Sequence, residues 1–237
     1  MKDNAISLEN KQNRLTCRQR VLAALNHQAV DRVPVDLGGT HCSGAHVSVI
    51  TQLRKALGLA KMDERVKVTD IYQAVGDKIH VVWMDGSDLS SQNSLFCSPD
   101  GYKELYLPYA KKVNDWIHAN TKWKTIKHCC GGCEPLIDGF IDAGYDVLNP
   151  VQCSAAGMDP QHLVNKFGDR IVFWGGGVDT QQTLPFGTPD EVAGQVRERV
   201  RIFSQKNGFI FNPIHNIQCG TPVENVLAML RALDRKV

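Results

Sequence analysis

Short, unbroken apolar runs alternate along this chain with longer stretches of helical periodicity, and that rhythm limits the fold more than any other feature. The runs include Ile79–Met84, Lys124–His128, Asp146–Asn149, Ile171–Trp174 and Phe209–Phe211. Helical stretches lie between and after them, at about 100–119, 134–143, 160–167, 189–205 and 223–233. An earlier run, Arg32–Leu37, follows a helix that Thr16 can cap and that reaches about His27. Short apolar strands that each lead into a helix belong in a parallel sheet covered on both faces. Polar and Gly-rich residues come after the strands rather than before them, as at the active face of a β/α barrel. The expectation is an α/β, TIM-barrel-like fold with about six recognisable β/α units, fewer than the eight of a complete barrel.

The shortfall lies early. Gly38–Gly44 reads as a Gly-rich loop after the first strand, and Ala45–Leu57 as a helix closed by Gly58. Residues 59–78 are ambiguous: Val66–Val68 fits a short strand and 70–75 a turn of helix. No Pro/Ser linker, low-complexity tract or repeat of fixed period divides the chain, so residues 14–237 read as one barrel domain after a disordered lead, 1–13. An incomplete barrel leaves sheet edges exposed, which favours self-association into a homo-oligomer.

Composition excludes several functions. The 237 residues are 43% hydrophobic and 22% charged with a net charge of +2, which gives no basic footprint for nucleic acid. No apolar run approaches the roughly 18 residues that a membrane span needs. The first residues lack the apolar core of a secretory signal, so the eight cysteines point to a reducing cytoplasm, where thiols serve metals or catalysis. Cys17, Cys97 and Cys153 are read as small core residues.

The hexad His128-Cys129-Cys130-Gly131-Gly132-Cys133 ends a strand and leads into a helix with Pro135 in its first turn. Strand alternation sends His128 and Cys130 to the barrel side and Cys129 to the helix side. Cys130 and Cys133 also form a C-x-x-C, open as a redox pair or as half of a structural zinc site, although no second C-x-x-C completes one. A hydrogen-bonded histidine among buried cysteine fillers is the competing reading. Asp36, Asp88 and Asp179 fall at or just after strand ends, where a carboxylate orients a ligand, protonates a leaving group or simply caps a turn. Asp179 and Asp88 are the catalytic candidates. Asn149, Gln152, His215 and Asp36 are the candidate substrate contacts. Gly175-Gly176-Gly177 has no following Lys-Ser/Thr and does not fit G-x-G-x-x-G, so it is not read as a nucleotide loop.

Several motifs together resemble the uroporphyrinogen decarboxylase superfamily. They are Arg18–His27 with Asp31–Val35, Ser98-Pro99 with Pro108-Tyr109, His128-x-Cys130-Gly131, Asp146–Gln152, Phe173–Gly176, Val178–Gln181, Leu184–Pro189 and His215–Gln218. The likeness runs over about residues 15–72 and 76–236 and is nearer to the cobamide-dependent methyltransferases. The decarboxylases carry paired arginines in the first loop, where this chain has Leu37-Gly38-Gly39-Thr40-His41-Cys42. The methyltransferase resemblance implies zinc held by His128, Cys130 and Cys219, with Cys133 as an alternative ligand. It also implies a cobamide carried by a corrinoid-binding partner protein and a small-molecule methyl acceptor. Tetrapyrrole decarboxylation and a catalytically silent, shortened member are the alternatives. Family members carry a long segment that this chain lacks, near residues 70–78.

Overall fold

A computed structural model describes residues 15–36 and 79–233. The expected lead at 1–13, the Gly38–Gly44 loop, the helix at 45–57, the strand at 66–68 and the turn at 70–75 lie outside the described residues.

Five strands, β1 (Val81–Asp85), β2 (Lys124–His128), β3 (Val147–Asn149), β4 (Val172–Trp174) and β5 (Phe209–Ile210), form a parallel sheet in sequence order. Beyond β5, Val35 bridges Phe211 in parallel. Phe211 N–H donates to the Pro34 carbonyl at 2.7 Å, and Asp36 N–H to the Phe211 carbonyl at 2.6 Å. Among the described residues, the earliest strand segment therefore lies beside the latest. A doubly wound sheet puts its first strand in the middle, whereas a barrel makes first and last strands neighbours. The order is that of a barrel arc, and the six strand positions among the described residues are the six that the apolar runs mark.

Among the described residues the α-helices are α1 (Cys17–Leu25), α2 (Pro99–Leu105), α3 (Leu107–Asn120), α4 (Ile137–Asp142), α5 (Pro160–Phe167), α6 (Thr183–Phe186), α7 (Pro189–Phe203) and α8 (Val223–Leu233). Strand alternation separates two apolar layers. Phe140, Phe167, Phe173, Phe203 and Phe211 fill the outer one, within the main core cluster. Ile126, Val147, Val172 and Ile210 form the inner one with Ala24 and Leu25 of α1. Two residues further along, the inner face turns polar on three of the strands, with His128 on β2, Asn149 on β3 and Asn212 just after β5. That step carries the chain from barrel core to barrel mouth.

Capping and ion pairing anchor α1. Thr16 and Gln19 form a capping box, and the Arg20 guanidinium, almost wholly buried, grips Asp31 through two bonds of 2.7 and 2.9 Å. The Arg20 hydrogen bond holds the Asp31 carboxyl at about 2, below its ordinary value. A depressed folded-state pKa gives stability that is present above the unfolded value and is lost as pH falls through the folded one. Acid denaturation should thus include a component between about pH 4 and pH 2 that Asp31→Asn removes, measured as melting temperature against pH.

Four local expectations are corrected. The helix expected over 100–119 is two helices, because Pro108 has no N–H to give the Glu104 carbonyl and the chain restarts at Leu107. The helix expected from Glu134 opens as a 3₁₀ turn, Glu134–Leu136, before α4. The short α6 has no counterpart in the expected elements. Cys17 is exposed rather than in the core, because α1 buries Arg20, Ala23, Ala24 and Leu25 instead.

Candidate metal centre

The loops after β1, β2 and β3 are tied together at the strand C-terminal ends. Gly131 has φ +88°, and a Cβ there would overlap the Ser91 backbone, so only glycine lets the β2 loop turn this close. Gly132 N–H donates to the Ser91 carbonyl at 2.9 Å, and Ser90 Oγ to the Cys130 carbonyl at 2.7 Å. Gly131 N–H donates to Gln152 Oε1 at 2.8 Å, and Gln152 Nε2 donates to Gln92 Oε1 at 2.6 Å. Gln92 in turn donates to the Ser154 carbonyl at 3.0 Å. Lys127, fully buried beneath the Phe140 ring, donates from Nζ to the Ser87 carbonyl at 3.0 Å, fixing the loop one residue before Asp88.

Within that frame Asp88, His128 and Cys130 each offer one donor atom, all within 4.8 Å of one another. His128 Nε2 stands 3.5 Å from Cys130 Sγ and 3.6 Å from Asp88 Oδ1. Tetrahedral zinc, with sulfur at about 2.3 Å and nitrogen or oxygen at about 2.0 Å, separates such donor pairs by about 3.5 Å and 3.3 Å. The two separations measured from His128 Nε2 suit a small divalent ion, and the third lies within 4.8 Å. His128 is buried, with its ring 5.0 Å from that of Trp83, and its Nδ1 lies 3.0 Å from Asn149 Oδ1. Asp88 accepts the Cys130 N–H at 2.8 Å and is 46% exposed, so the open side of the group faces solvent there.

The other expected residues divide. Asn149 and Gln152 belong to this network, Asn149 against the His128 ring and Gln152 beneath Gly131. Asp36 is buried and accepts the Trp174 indole N–H at 3.0 Å. Asp179 is also buried, and one oxygen accepts the Gln181 and Gln182 N–H groups, a turn-capping arrangement just before α6. His215 is half-buried on the segment after Phe211. Cys219 is exposed on the same segment and does not join the three-donor group. Cys129 faces the helix layer, as strand alternation requires, and Cys133 is buried with it. Cys133 Sγ donates to the Cys129 carbonyl at 3.8 Å, and Cys129 Sγ accepts the Leu89 N–H at 3.3 Å; the neighbouring Cys133 thiol lowers the Cys129 pKa, aided by Leu89 N–H and Ser90 Oγ, and Cys133 is pushed up. Cys133 therefore packs in the core, away from the mouth.

One contributor escapes the sequence reading, and another, expected as a catalytic acid, lies among the three donor atoms instead. Gln92 sits in a polar loop without periodicity, and nothing in its surroundings marks it as the link to Gln152. Asp88 is legible as an acid near a strand end, but its closeness to His128 depends on the fold of the 86–98 loop.

The family model described as Uroporphyrinogen decarboxylase (URO-D) matches residues 73–236, and the chain belongs to that family. The match begins within residues 70–78, the stretch where a family segment is expected to be absent. A methyltransferase from Methanosarcina mazei shares the fold, with a TM-score of 0.51 and 22% identity over 66% of this chain. The aligned part spans only 42% of that methyltransferase. No curated protein gives a significant match. Among the described residues no helix is long and apolar enough to cross a membrane.

Proposed function

We propose that this protein binds zinc through His128, Cys130 and Asp88 and transfers a methyl group from a methylated corrinoid, carried by a partner protein, to a small thiol. The observation that carries the reading is the His128–Cys130 separation of 3.5 Å at the barrel mouth, with Asp88 completing three donors. The mixed sulfur and nitrogen donors suit zinc better than magnesium or calcium. Motif resemblance and the fold shared with a methyltransferase support the reaction class.

Zinc in this site supplies positive charge that keeps an acceptor thiol deprotonated. The protein's residues prepare the site: His128 and Cys130 bind, Asn149 orients the imidazole, and Asp88 adds a third donor on the side that opens to solvent. The acceptor's sulfur–carbon bond forms as the carbon–cobalt bond of the donor breaks. The electron pair stays with cobalt, and the thiol proton leaves to solvent. Asp179 and His215 are proposed to shape the pocket, with Gln152 and Asp36 holding its walls.

Purified protein should carry close to one equivalent of zinc and bleach methyl-cobamide when a thiol is added. Cys130→Ala should lose both properties. Carbon dioxide release from a porphyrinogen by zinc-free protein would replace this reading with decarboxylation, and neither activity would leave a silent, shortened family member.

A further inference from the structure

His128 has two ring nitrogens, and the proposed metal site needs the lone pair on the one facing Cys130 and Asp88. A hydrogen-bond chain decides which nitrogen carries the proton. Asn149 Nδ2 lies 2.9 Å from the Trp174 carbonyl oxygen. That oxygen only accepts, so the NH₂ end of the Asn149 amide must face it. The other end, Oδ1, lies 3.0 Å from His128 Nδ1 and is itself only an acceptor. Nδ1 must therefore hold the proton, which leaves the neutral ring's lone pair on Nε2. Nε2 is the atom 3.5 Å from Cys130 Sγ and 3.6 Å from Asp88 Oδ1.

The placement follows from the sheet. His128 and Asn149 are register partners on β2 and β3, and both side chains rise from the inner face. Trp174 ends β4, the next strand, and its indole N–H is tied to Asp36 at 3.0 Å. Asn149 is 1% exposed, so water does not compete for its amide. A side chain buried at this position without such partners would leave polar groups unsatisfied.

We propose that Asn149 is a positioning residue: with the Trp174 carbonyl behind it, it sets His128 in the Nδ1–H tautomer before a metal arrives. The purpose of this device rests on the zinc reading, but its geometry does not. Neutral imidazole in water otherwise favours the Nε2–H form, so the protein must impose the opposite one. Outer partners of this kind typically contribute about 10–100-fold in metal affinity.

The test is long-range ¹H–¹⁵N correlation of the histidine rings in metal-free, ¹⁵N-labelled full-length protein at about pH 8, above the ordinary histidine pKa. Wild type should show His128 with a protonated Nδ1 and a bare Nε2. Asn149→Leu should shift the ring towards Nε2–H and weaken zinc binding about 10–100-fold. Asn149→Asp, which keeps an acceptor for Nδ1, should retain the tautomer. An Nε2–H ring in wild type, or an unchanged ring in folded Asn149→Leu, overturns the proposal. If Asn149→Leu fails to fold, the wild-type spectrum alone decides it. An Nδ1–H ring in a protein that binds no zinc supports the tautomer assignment while defeating the zinc reading.

Discussion

His128→Ala is expected to lower zinc affinity by more than about 100-fold, beyond the 10–100-fold typical of an outer partner, because it deletes a donor atom itself. Competition against a chromophoric chelator measures the loss. The fold should survive it. The ring's removal leaves Asn149 Oδ1 without its 3.0 Å partner, and one unsatisfied buried acceptor costs about 1–3 kcal/mol. A folded His128→Ala protein that keeps its zinc would place the metal elsewhere. Cys130→Ser should behave similarly, since a hydroxyl is a poor substitute for thiolate sulfur at zinc. Cys129→Ser should not, because Cys129 is buried in the helix layer and its sulfur accepts from Leu89 N–H at 3.3 Å.

Gly131→Ala is expected to be the most damaging single-atom addition near the site. Gly131 holds φ +88°, and the new Cβ would overlap the Ser91 carbonyl oxygen, a backbone atom that cannot rotate away. The left-handed backbone costs about 1–2 kcal/mol for a residue with a Cβ. The overlap adds about 1–3 kcal/mol. A combined loss of about 3 kcal/mol should lower the melting temperature clearly and loosen the contact between the β1 and β2 loops. Because that contact holds Asp88 near His128, zinc affinity should fall as well. Gly194→Ala is the matched control, since its added Cβ meets nothing within 4 Å. Equal melting temperatures for the two variants would show that the β2 loop does not depend on this close approach.

The parts of the fold that follow local rules were legible from the chain. Six apolar runs marked six strand positions, and strand alternation placed His128 and Cys130 on the barrel side and Cys129 on the helix side. Pro108 was visible too, but a helical period running across it concealed the break between α2 and α3. What stayed hidden depends on neighbours distant in sequence. No local pattern says that Asn149 is the register partner of His128, or that a turn after β1 brings Asp88 within 3.6 Å of Nε2. Cys133 looked like a thiol close to the ligands, yet the turn at Gly131 and Gly132 carries it into the core beside Cys129. Asp179 fell where a catalytic carboxylate could stand, and its observed bonds are those of a capped turn. Strand-end position locates a mouth, and only the packed loops assign partners within it.

The most direct measurement is zinc-edge X-ray absorption on the zinc-loaded protein, which counts sulfur against nitrogen and oxygen neighbours. The proposed set predicts one sulfur at about 2.3 Å with the remaining neighbours nitrogen or oxygen at about 2.0 Å. That single sulfur should vanish in Cys130→Ser and persist in Cys219→Ser. Two sulfurs, one of them lost in Cys219→Ser, would put Cys219 in the position proposed for Asp88. A shell without sulfur would contradict a metal centre at His128 and Cys130.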